Sequence, residues 1–204
     1  MIIEINPTNI DKRLIKQVVD TLKKGGIIIF PTDTVYSMGC DLFNKKALNE
    51  LARLKDIKLS KANFSIICHD LSNISDYVKQ IDRPTFKLLR QVLPGPFTFI
   101  LNATNEVPRL FDSKRREIGI RIPNNEILLE IVRELGNPIA TTSLHNDEDT
   151  IQEYFADPSM IYERYDEKVD LIIDGGFGNL DASTVVDCTD GVEIIRQGIG
   201  ILHI

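Results

Sequence analysis

Four hydrogen-bonding side chains follow an apolar run near the start of the chain. Residues 27–30 read Ile-Ile-Ile-Phe, a run that is typical of a strand buried on both faces. Pro31 cannot donate to a sheet ladder and therefore ends the strand. The polar side chains that come next are Thr32, Asp33, Thr34 and Tyr36. Because ligands of open α/β sheets bind beyond the strand ends, this spacing predicts a ligand site. The alternative is a Pro-Thr-Asp turn beside a half-buried tyrosine.

A single arginine interrupts a second apolar pattern. Residues 118–122 read Ile-Gly-Ile-Arg-Ile, and strand alternation places the three isoleucines on one face and Gly119 with Arg121 on the other. A guanidinium beside a glycine has room to hold a carboxylate or a phosphate through two parallel hydrogen bonds. From the residues alone, Arg121 is either an anion ligand or one partner of a salt bridge to a neighbouring strand.

Alternating helices and strands must position these two segments. Helices are predicted over about residues 11–24, 44–55, 82–93, 125–135 and 150–165. Strands are predicted over about residues 27–30, 64–68, 97–101, 117–122, 138–143, 169–173, 184–188 and 192–196. This order indicates a mixed-sheet α/β protein. A length of 204 residues fits one domain over residues 1–204.

The net charge of −6 is concentrated in one part of the chain. Residues 147–170, the acidic segment, hold nine acidic and two basic residues and carry −7, so the remainder carries +1. We expect this segment, as a helix with Glu153 and Asp157 facing outward, to lie away from a bound anion. A second cluster contains Arg109, Lys114, Arg115, Arg116 and Arg121. Such a cluster favours a phosphate-binding face or a solvated loop of mixed charge.

Several functional classes are disfavoured by what the sequence lacks. It has no Walker phosphate loop, no dinucleotide-binding glycine fingerprint and no Gly-x-Ser-x-Gly elbow. The three histidines, His69, His145 and His203, lack ligand spacing, so no metal site built from the protein alone is predicted. The three cysteines form no disulfide framework, and no apolar run approaches the ~18 residues that span a bilayer. No basic and apolar leader opens the chain, so we expect a cytoplasmic protein.

Six short segments recur in the order of a known family. They are Pro-Thr-Asp-Thr-Val-Tyr-Ser-Met-Gly at 31–39, Pro-Gly-Pro-Phe-Thr-Phe-Ile-Leu at 94–101, Gly-Ile-Arg-Ile-Pro at 119–123, Ile-Ala-Thr-Thr-Ser at 139–143, Ser-Thr-Val-Val-Asp at 183–187 and Ile-Arg-Gln-Gly at 195–198. As a set they resemble the YrdC/YciO family, which includes the threonylcarbamoyl-AMP synthases of tRNA modification. The resemblance implies a YrdC-like α/β fold, with a twisted open mixed sheet flanked by helices and a large concave site.

The resemblance also implies roles for particular residues. Arg121 would hold the carboxylate of L-threonine and, with Lys55, act in catalysis. The other substrate-binding positions are Thr34, Tyr36, Thr141 and Ser183. The nucleotide-binding positions are Lys55, Lys61, Ser143 and Arg196. ATP is expected as a substrate, together with Mg²⁺. Without the resemblance, Ser143 is explained as a capped strand end and Arg196 as an exposed charge on a terminal strand.

Two departures from the family pattern bear on the nucleotide. Ile57 stands where the family has the arginine of a Lys-x-Arg-Pro element that grips ATP phosphates, and Lys58 replaces the proline. Lys58 or Lys61 could substitute, but an ammonium does not reproduce the planar fork of arginine. His145 stands where the family has the asparagine of a Ser-x-Asn element. These departures resemble the YciO branch, and we expect weak binding or slow turnover of ATP.

Two functional interpretations follow. The first is a nucleotidyltransferase that converts L-threonine, bicarbonate and ATP to threonylcarbamoyl-AMP and pyrophosphate for tRNA modification. Such a site needs donors and cations more than a nucleophile. The second is a non-catalytic or specialised YciO-type protein that binds double-stranded RNA or a nucleotide in the concave site. The departures at Ile57 and His145 favour the second interpretation, whereas the acidic segment disfavours broad nucleic-acid binding.

Overall fold

Ten strands form one mixed sheet in a computed structural model that describes residues 1–144 and 154–203. The strands are β1 Ile2–Glu4, β2 Ile28–Phe30, β3 Ser37–Asp41, β4 Ser65–Ile67, β5 Phe97–Asn102, β6 Glu117–Arg121, β7 Ile139–Ser143, β8 Leu171–Asp174, β9 Thr184–Asp187 and β10 Glu193–Arg196. Their order across the sheet is β1-β8-β2-β3-β7-β4-β6-β5-β9-β10. Parallel and antiparallel pairs both occur, which confirms the predicted mixed α/β fold.

Six α-helices of the described residues flank the sheet. They are α1 Lys12–Lys23, α2 Lys45–Leu54, α3 Arg83–Val92, α4 Glu106–Phe111, α5 Glu126–Leu135 and α6 Pro158–Tyr165, with short 3₁₀ turns at Leu59–Lys61 and Ile74–Asp76. Side-chain oxygens of Asp11, Asn44, Asp82 and Asn125 cap α1, α2, α3 and α5, and each accepts from a backbone N–H of the first turn. No helix in the described part of the chain is long and apolar enough to cross a membrane.

One face of the sheet is apolar and covered across most of its width. Alternate residues of the strands, such as Ile29, Met38, Ile66, Phe99 and Ile120, belong to one buried cluster that includes side chains of α2, α3, α4 and α6. This alternation confirms the prediction that the three isoleucines of residues 118–122 share a face. Burial of this many apolar side chains supplies the main driving force for folding.

The opposite face of the sheet is covered only in part. Helices α1 and α5 pack on each other and on β2, β8 and the start of β7, forming a second apolar cluster. On β7, Ile139 belongs to that cluster, whereas Thr141 and Ser143, which point to the same face, line a cavity. The helical cover therefore stops partway along β7, and the remaining strands leave a concave surface.

Four elements differ from the sequence prediction. The sequence does not predict helix α4 or strands β1 and β3. Strand β1 has only three residues, and β3 reads Ser-Met-Gly-Cys-Asp, with no β-branched residue. Strand β3 exists because β2 and β7 pair with it on both sides. The helix predicted over residues 150–165 is wrong over residues 154–157, which are not helical: α6 begins at Pro158, and Asp157 is its cap. Residues 145–153, including His145 and Glu153, lie outside the described residues.

Gly39 allows β3 to lie against β7, and this gives a test of the packing. A Cβ at this position would lie 2.4 Å from the backbone oxygen of Ala140 and 2.7 Å from Ile139 Cγ2, so the β7 backbone would have to move. We expect Gly39→Ala to lower the free energy of unfolding by about 1–3 kcal/mol, measured by urea denaturation. Lys46→Ala on the exposed face of α2 should change it by less than about 0.5 kcal/mol. Equal stability of the two variants would contradict this packing.

Candidate functional site

The uncovered part of the sheet forms a cavity of about 610 Å³. Its floor consists largely of hydroxyl side chains on strands or at strand ends, namely Ser37, Ser65, Thr98, Thr141, Ser143 and Ser183. Gly119 lies among them, and a Cβ there would approach Ser65 Oγ to 2.5 Å, so the glycine keeps the floor open. The volume lies within the ~300–1,000 Å³ range of small-molecule sites.

Arg121 is a buried cation on the wall of this cavity. Only 4% of the residue is exposed. Its Nη2 donates to Thr34 Oγ1 at 3.0 Å and to a carboxylate oxygen of Asp33 at 3.3 Å. The second carboxylate oxygen of Asp33 accepts from the Asn124 N–H at 2.8 Å. The loop between β2 and β3 therefore supplies both partners of the arginine.

A chain of hydroxyls orients Thr34 toward the guanidinium. Thr32 Oγ1 donates to the Val35 carbonyl at 2.8 Å, so its own proton is already used. In the 3.0 Å contact between the two threonine hydroxyls, Thr34 must then be the donor and Thr32 the acceptor. Thr34 Oγ1 is thus left to accept from Arg121 Nη2. The three polar residues after Pro31 form one network that fixes one side of the guanidinium.

Two buried polar atoms at the cavity have no partner among the described residues. Arg121 Nε and Ser37 Oγ are shielded from water and make no hydrogen bond within residues 1–144 and 154–203. Ser37 lies directly opposite Ser143 in the β3–β7 ladder, and its residue is only 1% exposed. Buried donors without partners are uncommon and costly in folded proteins. Both atoms belong to residues that line the cavity, which is consistent with a polar ligand there.

Burial works against the charges of the Arg121–Asp33 pair. Desolvation raises the pKa of Asp33, and this effect is larger than the opposing effect of the Arg121 guanidinium. Desolvation lowers the pKa of Arg121, Asp33 opposes this change, and the nearby charge of Arg196 adds to it. The guanidinium would therefore gain from a further anion in the cavity.

Positive charge dominates the cavity lining. Its cations are Lys114, Arg115, Arg116, Arg121 and Arg196, and Glu117 is the single carboxylate among the described lining residues. Arg196 Nη2 donates to the Ser183 carbonyl at 2.7 Å, and Ser183 Oγ lies 2.8 Å from Thr98 Oγ1. Acidic residues of the described part of the acidic segment, such as Glu163 and Glu167, do not line the cavity. This excess of cations favours an anionic ligand.

The structure brings together five of the residues that the sequence predicts for the site. Arg121, Thr141, Ser143, Ser183 and Arg196 all line the cavity. Thr34 lies behind Arg121 and reaches the cavity only through that side chain. No group of three His, Cys, Asp or Glu side chains among the described residues could hold a metal ion.

Tyr36 lies outside the lining for a physical reason. Its hydroxyl donates to the Gly176 carbonyl at 2.7 Å and accepts from the Gly175 N–H at 3.1 Å. Its ring also lies where a Cβ on Gly178 would be only 2.8 Å away. The phenol is fully buried, and burial raises its pKa to about 12. In the structure Tyr36 holds the turn after β8 against the β2–β3 loop.

The lysines around the end of α2 also lie outside the cavity lining. Lys55 follows the last residue of α2, and Lys61 is an exposed residue of the 3₁₀ turn that comes next. Ile57, at the position of the missing arginine, is 41% exposed. Of this connection, Asn63 lines the cavity.

Sequence reasoning missed several lining residues. Ser37, Ser65 and Thr98 were not predicted as site residues, although each alternates along its strand with apolar residues of the opposite face. Lys114 and Arg116 were noted only as members of a charge cluster. A search for hydroxyls or cations at every second strand position would have found the floor, but it would not have distinguished a cavity from an exposed sheet face.

These features define an open-sheet α/β protein with a cation-lined concavity on one side of the sheet. The sequence model of the Sua5/YciO/YrdC family, described as telomere recombination, matches residues 20–198. The chain belongs to the Sua5/YciO/YrdC family, as the six segments predict.

Three relatives place the chain within that family. The uncharacterized protein YciO of Escherichia coli K12 is 39% identical over 198 residues, covering 96% of this chain and 94% of YciO. The crystal structure of E. coli YciO matches with a TM-score of 0.88 over 98% of this chain and 97% of that chain. The threonylcarbamoyl-AMP synthase of Coxiella burnetii is 26% identical over 183 residues, covering 89% of this chain and 96% of the synthase. The crystal structure of P. abyssi Sua5 complexed with L-threonine shares the fold, with a TM-score of 0.87 at 24% identity over 97% of this chain and 57% of Sua5.

The raised pKa of Asp33 predicts a pH-dependent contribution to stability. The folded chain binds this proton more tightly than the unfolded chain, in which the pKa is about 3.9. The contribution of Asp33 to the free energy of unfolding is therefore fully present below its pKa in the unfolded chain. It is lost as the pH rises through its pKa in the folded chain. The difference in free energy of unfolding, wild type minus Asp33→Asn, should fall with rising pH and then level off. Urea titrations of both proteins from about pH 3 to about pH 7 measure this difference. If the difference instead rises with pH, pairing with Arg121 outweighs burial in setting the pKa of Asp33.

Ser37 provides a second test, because its hydroxyl has no partner among the residues that the structure describes. Ser37→Ala removes a buried group that costs free energy in the folded chain, so we expect the unliganded protein to become more stable by about 1 kcal/mol. Thermal unfolding measures the change. Thr98→Ala is the matched control, since it breaks the 2.8 Å contact with Ser183 and should destabilise the protein. Loss of stability in Ser37→Ala would show that the hydroxyl is already satisfied.

Proposed function

We propose that this protein synthesises L-threonylcarbamoyl-AMP from L-threonine, bicarbonate and ATP, with release of pyrophosphate. The observation that carries the proposal is the buried Arg121 guanidinium beside a hydroxyl-lined cavity. Thr34 and Asp33 fix one side of it, and its Nε has no partner in the described part of the chain. A guanidinium in this setting suits a carboxylate, which accepts two parallel hydrogen bonds. The name of the C. burnetii relative supports the same reaction.

In this proposal the cavity floor positions threonine. Its carboxylate would take the open donors of Arg121, while hydroxyls such as Thr141 and Ser183 orient the amine and the side chain. The amine combines with bicarbonate to give the carbamate and water. A carbamate oxygen then forms a bond to the α-phosphorus of ATP, and the bond to pyrophosphate breaks. Mg²⁺ would enter with the triphosphate as part of the substrate.

The side chains needed for this reaction bind and orient charged groups. Arg196 and Arg121 carry positive charge beside the floor, and Ser143 offers a hydroxyl at the end of β7. Positioning of two reactants and stabilisation of charge at the transferred phosphorus can supply most of the rate enhancement without a protein nucleophile. The product would serve modification of tRNA in the cytoplasm.

A second candidate function rests on the nucleotide half of the site. Ile57 replaces an arginine of the family pattern, and Lys55 and Lys61 lie outside the cavity lining. A YciO-type protein that binds RNA or a nucleotide without turnover would retain the cationic cavity and lose the catalytic contacts. In that case, a nucleotide or RNA would bind, but no pyrophosphate would be released when L-threonine and bicarbonate are added.

Arg121→Lys tests the synthase proposal. Lysine keeps the positive charge but loses the planar fork, so kcat/KM for L-threonine should fall by about ten- to a hundredfold. The measurement is pyrophosphate release in the presence of ATP, bicarbonate and varied L-threonine. Arg109→Lys is the matched control: Arg109 is exposed, pairs with Glu106 at 2.8 Å, and lies outside the cavity lining. Urea unfolding of both variants excludes loss of the fold as the cause.

Two results would refute the proposal. Wild-type protein that binds ATP or RNA but releases no pyrophosphate in the presence of L-threonine and bicarbonate would favour the second candidate function. Threonine-dependent release that is equal in Arg121→Lys and Arg109→Lys would show that the carboxylate binds elsewhere.

A further inference from the structure

Two features of the cavity are not explained by a threonine site. Exposed cations of residues 112–116, here called the basic loop, line it. The lysines around the end of α2, where the family pattern places its phosphate-binding element, do not line it. The positive charge available to a ligand therefore comes from a different element.

The basic loop is held firmly where it leaves α4. Asp112 ends the helix in the left-handed region, with a φ of 46°. Its carboxylate pairs with Lys45 Nζ of α2 at 2.6 Å. The Ser113 N–H donates to the Pro108 carbonyl at 3.1 Å. These contacts fix the direction in which the chain enters the loop.

The middle and end of the basic loop are also anchored. Arg115 Nη1 donates to the Phe64 carbonyl at 2.9 Å, and the guanidinium lies 4.9 Å from the centre of the Phe111 ring. Burial lowers the pKa of Arg115 to about 10. The Arg116 carbonyl accepts from the Ala103 N–H at 2.8 Å, which ties the loop to the end of β5. Arg115 therefore acts as the anchor of the loop.

Lys114 and Arg116 flank this anchor and remain available. Both side chains belong to exposed residues that line the cavity. Within residues 1–144 and 154–203, neither side chain forms an ion pair or a hydrogen bond. Glu117, the one carboxylate of the described lining, follows them at the start of β6. Two unpaired cations on an anchored loop form a preorganised site for a polyanion.

We propose that the basic loop binds a polyphosphate ligand, and that Lys114 and Arg116 contact its phosphates. This subsite would replace the element expected at the end of α2. The charge and the cavity alone support a polyphosphate as the ligand of this subsite. The more specific identification of that ligand as ATP rests on the proposed function. A small ligand is favoured over double-stranded RNA because a duplex is too wide to enter a cavity of about 610 Å³ and would touch only its rim.

Inorganic tripolyphosphate is the probe, titrated by calorimetry into the full chain without threonine or bicarbonate. The double variant Lys114→Gln with Arg116→Gln should bind it at least about tenfold more weakly than wild type. The control double variant, Arg109→Gln with Lys46→Gln, removes the same charge at exposed positions outside the cavity lining and should bind it almost normally. Raising the salt concentration should reduce the difference between the two variants.

Further variants decide between the possible sites. Equal weakening in both double variants would reduce the effect to net charge and overturn the proposal. Loss of tripolyphosphate binding in Lys61→Gln, with the basic-loop variant unaffected, would return the subsite to the end of α2. If the basic-loop double variant loses binding to a short RNA duplex but binds tripolyphosphate as wild type does, the loop would be assigned to RNA. If tripolyphosphate binds at the loop but no threonine-dependent pyrophosphate release occurs, the subsite stands and the synthase proposal fails.

Discussion

A buried guanidinium is the constraint on which the site depends. Strand β6 carries Arg121 into the protein, where desolvation of its charge is costly unless partners are provided. The partners, Asp33 and Thr34, come from the loop after β2, although three strands, β3, β7 and β4, separate β2 from β6 in the sheet. The polar network therefore ties distant parts of the sheet together at the cavity. Removing one partner of such a pair typically costs several kcal/mol, because the remaining charge stays buried.

The incomplete helical cover of the sheet turns this constraint into a site. Along one face of the sheet, the apolar residues beneath α1 and α5 give way to hydroxyl side chains that line the cavity and that none of the described helices covers. Some of these hydroxyls are satisfied within the protein, as in the 3.1 Å bond from Thr141 to the Met38 carbonyl. Within residues 1–144 and 154–203, the Ser37 hydroxyl and Arg121 Nε have no such partner. The apolar half of this face supplies stability, and the polar half keeps donors available to a ligand at a cost to stability.

The sequence predicts features that follow from local periodicity, and it is weaker on features that follow from long-range packing. Alternation in residues 118–122 predicts both the strand and the side of the sheet on which Arg121 lies, because each side chain direction depends only on its neighbours. Strand β3 carries no such signal and exists through its two partners. Tyr36 illustrates the same limit: its phenol meets Gly175 and Gly176, about 140 residues away in the chain, and no local pattern indicates that contact.

The buried half of the proposed site and its exposed cations are constrained differently by folding. In the buried half, Thr34, Asp33 and Arg121 form one hydrogen-bonded network, so replacing any member leaves the others unsatisfied. The exposed Lys58 and Lys61 after α2 are under no such constraint, since an exposed cation can be lost or moved at little cost to folding. Positive charge can therefore move from the end of α2 to the loop after α4 while the buried half stays unchanged. Burial thus explains how the proposed recognition of a carboxylate can persist in a chain whose proposed phosphate contacts lie on a different loop.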